Sequence, residues 1–475
     1  MNKILITACL LAVGLCSCND WLDVKPKTNI DEKDLFKNEQ GFKEALTGVY
    51  IELARPALYG KEFTYGFIDI LAQRYDNGQN PNARYNDAAM WYTYPSTRTE
   101  GYIETFWRNS YTLIANLNNL LSNIETNGEV IKTPGYRNII QGEALALRSY
   151  LYFDLLRLFG PIYGTNADSP AIPYRTAFNR EDKKLMPASE LVDKLIADLQ
   201  QAELLLENDP MQIAFPANSA ENGFLSNRFN RMNRFAAKAL LARVYLWKGD
   251  KVNALAKARE VIDGKRGSNK LFNLVTENSR DKLGSTELIF ALHADPETFP
   301  EQVQNDFKLT SWNYCVIMNV EKFHRIFDTS VDGLNDMRIK EGVGFEVSAS
   351  GAVTLKYSQV DLKSPALKNL VPMIRLSEMH YIVAECLDNL TESARELSLV
   401  RTARGIETVT FSDQAEKMNH LEKEYRKEFY GEGQLWYFYK RLGYETFLYC
   451  PLSNMKEANY RFNIPDDEIV LGNIH

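Results

Sequence analysis

The 475-residue chain lacks the common signatures of enzymes and nucleic-acid binders. It has no GxGxxG fingerprint, no P-loop and no HExxH pair, and its five histidines (His293, His324, His380, His420 and His475) are scattered. Neither a phosphate cradle nor a metalloprotease helix is encoded. Its six cysteines form no CxxC pair: Cys9, Cys16 and Cys18 crowd the N-terminus, and Cys315, Cys386 and Cys450 stand alone. That pattern excludes a disulfide framework and a zinc knuckle. Basic residues are not in excess, since 55 Lys and Arg face 62 Asp and Glu for a net charge of −7. The footprint that nucleic acid demands is therefore missing. Asp328-x-Ser330-x-Asp332-Gly333 opens like a calcium loop, but its twelfth position is Ile339 where a bidentate Glu is required. Asp466-Asp467-Glu468 reads as a solvated turn. No carboxylate pair stands out for glycoside hydrolysis. Neither enzyme activity, cofactor nor metal is expected.

What is present begins with an address. Met1-Asn2-Lys3 is followed by an apolar run from Ile4 to Leu15, too short to span a bilayer and suited to a secretory signal. Leu15-Cys16-Ser17-Cys18 then resembles a bacterial lipobox. Residues 1–17 are read as a signal peptide and Cys18 as the lipidated residue, anchoring residues 18–475. More than one acyl chain is needed for stable anchoring. No later segment is apolar for long enough to span, so contact with the membrane is expected through the lipid alone.

The body has helical periodicity. Phe42, Ala45, Leu46, Val49 and Tyr50 share one face of a helix over 38–52. Further helices are expected over 102–125, 136–159, 190–206 (capped by Ser189), 233–248, 251–262, Pro372 to Leu387 and Thr391 to Arg404. In 233–262, Leu241, Ala242 and Tyr245, a Gly249-Asp250 turn, then Ala254, Ala258 and Val261 match the tetratricopeptide layout, in which small residues let paired helices approach. The fold class is therefore mainly α: a helical repeat scaffold over about 38–263 and 372–443. A large loop-rich insertion over about 264–370 includes a possible strand at Val353 to Tyr357.

Aromatic residues are abundant, with 25 Tyr, 24 Phe and 6 Trp. Most must fill the core. Trp107 and the run Trp436 to Tyr439 read as packing. The aperiodic stretch 73–100 combines turn formers, polar groups and rings, the composition of a functional loop.

Six segments in order carry a resemblance: Cys18 to Pro26, Ala45 to Tyr50, Trp107 to Asn118, Gly142 to Pro161 (GEALALRSYLYFDLLRLFGP), Ala236 to Asp250 and Ile374 to Glu385. Through them the chain resembles the SusD/RagB family of Bacteroidetes surface lipoproteins. One motif departs. After Glu432-Gly433-Gln434, Leu435 stands where the family usually has Arg, and Phe438 where it usually has Asp. Losing both charges together can be energetically mild, so a divergent subfamily is expected. The resemblance implies four tetratricopeptide-like units, an outer-membrane protein facing the exterior, and a SusC-like TonB-dependent transporter as partner. It implies capture of an oligo- or polysaccharide, with a peptide or protein fragment as the alternative. A sugar needs flat rings for its C–H face and polar side chains for its hydroxyls. Candidate ligand residues are Arg74, Tyr75, Asp76, Asn77, Arg84, Trp91, Tyr92 and Tyr94 in the first loop, and Trp312, Asn313 and Tyr314 in the insertion.

Overall fold

The computed structural model describes residues 32–76, 85–94, 97–179, 184–212, 220–276, 281–309, 316–331, 333–340, 342–359 and 364–471. Cys18, Asn77, Arg84, Trp312, Asn313, Tyr314 and Asp332 lie outside the described residues.

The periodic segments form the expected helices. Helix Thr97–Asn127 packs on Tyr136–Phe159, which packs on Ala188–Leu205, followed by Arg234–Lys248 and Lys251–Ile262. The stack continues directly to Leu376–Cys386 and Leu390–Ala403. Close approach explains the small residues: Ala236, Ala239, Ala242, Ala254 and Ala258 are all fully buried. Gly142 shows the constraint most clearly, because a Cβ there would sit 2.7 Å from Leu206 Cγ. Asn38, Asn233, Asp250, Asn389 and Asp413 cap their helices by accepting a backbone N–H, each cap contributing about 1 kcal/mol.

Helices Lys251–Ile262 and Leu376–Cys386 pack against each other although more than a hundred residues separate them. The intervening segment thus leaves the stack and returns to it at one place. It contains the antiparallel pair Leu288–His293 with Leu370–Arg375, and a hairpin of Phe345–Ser348 with Gly351–Thr354.

Four local expectations are corrected. Pro372 lies in strand Leu370–Arg375, and the helix starts only at Leu376. Proline disfavours a helical residue before it, and the buried apolar run finds a partner strand instead. The 188–205 helix starts two residues earlier than Ser189 as its cap would dictate, and Ser189 Oγ donates to Asp168. The loop 73–100 contains a short helix, Asn86–Trp91, and the next helix begins at Thr97. The strand expected at Val353 to Tyr357 lies instead at Gly351–Thr354.

Candidate ligand surface

The candidate surface is built on a clasp. Helix Phe67–Leu71 ends at Ala72, and Gln73 follows in the left-handed region at φ +57°. Its side-chain amide donates to the Ala89 carbonyl at 2.7 Å and to the Tyr92 hydroxyl at 3.0 Å. Tyr92, also left-handed at φ +47°, donates its hydroxyl to the Leu71 carbonyl. Such conformations cost about 1–3 kcal/mol each and persist only where the surroundings over-determine them. Here they close the base of the loop and end helix Asn86–Trp91, leaving Trp91 59% exposed.

The structure places five of the candidate ligand residues inside the protein. Arg74 is fully buried; it donates to the carbonyls of Tyr425 and Arg426 and its guanidinium lies over the Tyr430 ring. The Tyr75 hydroxyl donates to Asp69. Tyr92 stacks on Trp436, with ring centroids 5.6 Å apart and planes within 4°. Tyr94 packs edge-on against Phe462 and donates to the Asn459 carbonyl. Asp76 accepts from the backbone N–H of Asn319 and from Lys322 Nζ. Rings and guanidinium read as exposed are drawn in because the chain after Leu71 runs beneath the last helices, where unsatisfied carbonyls and aromatic faces are waiting for partners. Trp91 alone among the described candidates presents a large exposed surface.

Asp76 also ties two loops together. Its backbone N–H donates to the Ile317 carbonyl at 2.8 Å. The segment 77–84, with Asn77 and Arg84, starts immediately after Asp76. The segment 310–315, with Trp312, Asn313 and Tyr314, ends immediately before Val316. The described chain at Asp76 and at Ile317 is thus held together.

A buried carboxylate holds this base to the C-terminal helices. Asp69 accepts the N–H groups of Gly431 at 2.8 Å and Gly433 at 3.2 Å. Both glycines are left-handed, and a Cβ on Gly433 would lie 2.5 Å from the Phe63 carbonyl oxygen. Burial raises the Asp69 pKa to about 6, with Arg74 and the hydrogen bonds opposing the rise. Lys322, also buried, has its pKa lowered by desolvation, opposed by Asp76.

Sequence periodicity also missed an exposed ring at this base, Tyr449. It is 38% exposed, sits at φ +66°, and carries the Lys322 ammonium 4.9 Å from its ring centroid. No sequence signal marks it, because its exposure follows from the turn it occupies.

A second polar concentration lies elsewhere, around a cavity of about 90 Å³. Arg338, Lys356, Arg375, Arg401 and Arg404 meet Glu287, Asp336, Glu424, Glu428 and Glu432 there, one for one. Arg375 uses its whole guanidinium on Glu287, Glu428 and Glu432 and on the Glu428 carbonyl. Arg404 and Arg375 hold Glu428 well below the usual carboxylate range against its burial. A network so saturated offers a ligand little; it ties the 264–370 segment to the scaffold. The departing motif adjoins it. Leu435 is fully buried, and Phe438 packs on Tyr425 at 4.5 Å, so apolar contact fills the space of the missing charges. Arg441, on the next turn, pairs with Glu385. Among the described residues no cluster of His, Cys, Asp and Glu is placed to hold a metal, and no helix is long and apolar enough to cross a membrane.

The architecture is a helical repeat stack bearing an exposed ring on a braced loop. Residues 20–246 match the family described as "Starch-binding associating with outer membrane" (SusD-like), and residues 342–469 match the SusD family. The chain belongs to the SusD/RagB family. SusD-like protein P2 of Formosa agariphila is 26% identical over 268 residues, covering 55% of this chain and 46% of that protein. SusD-like protein P38 of the same organism is 29% identical over 197 residues, 41% of this chain and 35% of that protein. The chain thus matches less than half the length of either. A SusD superfamily protein from Bacteroides thetaiotaomicron shares the fold with a TM-score of 0.70 at 20% identity, over 92% of this chain and 99% of the other. A putative sugar binding protein from Bacteroides vulgatus does so with a TM-score of 0.63 at 21% identity, over 85% and 86%.

Proposed function

We propose that this chain is an outer-membrane lipoprotein, anchored through Cys18 and facing the cell exterior. In this reading it binds an oligo- or polysaccharide and delivers it to a SusC-like TonB-dependent transporter without catalysing a reaction on it. Family membership supports the architecture of this reading, and the exposed Trp91 carries the choice of ligand. A large ring left in water at the end of a short helix, beside the braced Tyr92, costs stability without helping the core, and it suits the apolar face of a sugar. Trp91 is the proposed stacking platform. Asn77, Arg84, Trp312, Asn313 and Tyr314, which lie outside the described residues, are proposed to supply further stacking and hydroxyl contacts. The buried Arg74, Tyr75, Asp76, Tyr92 and Tyr94 act as its support.

Native electrophoresis of residues 19–475 through gels containing amylopectin, xylan, laminarin, arabinan or α-mannan tests the reading, with a peptide mixture measured in parallel. Retention by one glycan, reduced in Trp91→Ala, is the expected result. Binding of peptides with no glycan retention would replace the sugar with a peptide ligand. Glycan retention indifferent to Trp91 would move the site elsewhere.

A further inference from the structure

We propose that Tyr449 is a second sugar-stacking platform beside Trp91, with Glu321 and Arg325 as its hydroxyl-reading rim, so that the site takes an oligosaccharide and not a single sugar. The inference rests on the glycan reading above and adds to it a second contact residue.

Position comes first. The Tyr92 ring meets Phe447 edge-on at 6.4 Å, and Phe447 in turn stacks on Tyr439 at 4.1 Å. Trp91 precedes Tyr92 in the chain and Tyr449 lies two residues after Phe447. Both are exposed while Tyr92 and Phe447 are buried. Two rings are thus presented from one braced foundation.

Backbone conformation gives a second, independent sign. Among the described non-glycine residues the left-handed region holds Gln73, Tyr92, Asn227, Asp328, Asn369 and Tyr449. Three of these six, Gln73, Tyr92 and Tyr449, belong to this small part of the surface. Bulky residues rarely adopt this conformation, and such strain gathers where a side chain must be held in a particular direction.

The third sign is chemical. Lys322 Nζ donates to the Tyr75 carbonyl at 2.8 Å and to Asp76 at 3.2 Å, and lies over the Tyr449 ring. A desolvated ammonium against a ring is attractive, which holds the ring in place. Helix Val320–Ile326, which sets Lys322 against the ring, also carries Glu321 and Arg325, both exposed and four residues apart on one face. A carboxylate accepts from sugar hydroxyls and a guanidinium donates to them. A flat ring with one donor and one acceptor at its edge is a sugar subsite in miniature.

The test uses the glycan that retains the wild type and an oligosaccharide ladder cut from it, titrated calorimetrically into wild type, Trp91→Ala, Tyr449→Ala and Tyr449→Phe. Tyr449→Ala is expected to weaken the longer oligosaccharides by about tenfold, the scale of one ring contact, and to leave the monosaccharide unaffected. Tyr449→Phe, which keeps the ring, is expected to bind as wild type does. If Tyr449→Ala matches wild type along the whole ladder while Trp91→Ala is weakened, the second platform is refuted and the glycan reading stands. Equal loss in Tyr449→Phe and Tyr449→Ala refutes stacking in favour of the hydroxyl. If no glycan retains the wild type, both the reading and the inference fall.

Discussion

The runs Trp91 to Tyr94 and Trp436 to Tyr439 have similar composition and opposite fates. In the second, four consecutive aromatic residues lie within helix Gln434–Leu442, so their side chains radiate in every direction, and all four are buried. Trp436 meets Tyr92 and Tyr460, Tyr437 lies under the Arg157 guanidinium, Phe438 packs on Tyr425, and Tyr439 stacks on Phe447 at 4.1 Å. In the first run the helix stops at Trp91, Tyr92 turns the chain with a positive φ, and Trp91 is left outside. The two runs touch, because Tyr92 stacks on Trp436. A helix surrounded on all sides converts every ring into core, whereas one left-handed residue divides a run into anchors and a display.

Substitutions can break this comparison. The largest effect is expected for Trp436→Ala, which opens a cavity beneath Tyr92 and should destabilise the fold by about 4 kcal/mol. Its melting temperature should fall steeply, and ligand binding should be lost with the fold. Glu428→Gln removes the shared partner of Arg338, Arg375 and Arg404. Leaving buried guanidinium groups uncompensated costs about 3 kcal/mol. Denaturant unfolding should show that loss.

A pH series sharpens the contrast between the loop base and the ion network. The folded Asp69 pKa of about 6 lies above its ordinary value of 3.8, so the fold favours its neutral form. The stability tied to that protonation is fully present below about pH 4 and is lost as pH rises through about 6. The displacement of roughly two units corresponds to about 3 kcal/mol. Glu428 behaves oppositely: its contribution is present above its unfolded value of 4.5 and is lost only as pH falls well below that. Between pH 5 and 7, therefore, the stability of wild type relative to Asp69→Asn should decline. Histidines 293 and 420, whose pKa values burial lowers, cancel in that difference. A flat difference would remove Asp69 from the account. Gln73→Ala should cost about 1–2 kcal/mol through two lost hydrogen bonds, and should weaken ligand binding by loosening Tyr92. The smallest effect on stability is expected for Trp91→Ala, within about 0.5 kcal/mol of wild type.

The helical stack was legible because helices of this kind carry their own period: Leu241, Ala242 and Tyr245 with Ala254, Ala258 and Val261 define a close-packed pair by spacing alone. Strand Leu370–Arg375 was not, since its partner lies some eighty residues earlier and only that pairing makes Pro372 acceptable. The ion network was equally hidden, as its members come from segments separated by up to about 150 residues in the sequence. For the candidate surface, composition marked the loop and, within it, Trp91, which the structure shows exposed. It could not separate Trp91 from Tyr92 and Tyr94, because that separation depends on one backbone dihedral, nor could it find Tyr449, whose setting is made by Lys322 from a distant helix.

The central claim is that Trp91 faces the ligand while the adjoining rings only support it. The most direct test is calorimetric titration of the retained glycan into Trp91→Ala whose melting temperature matches wild type. The account predicts an affinity loss of about tenfold or more. Wild-type affinity in that correctly folded variant would contradict it.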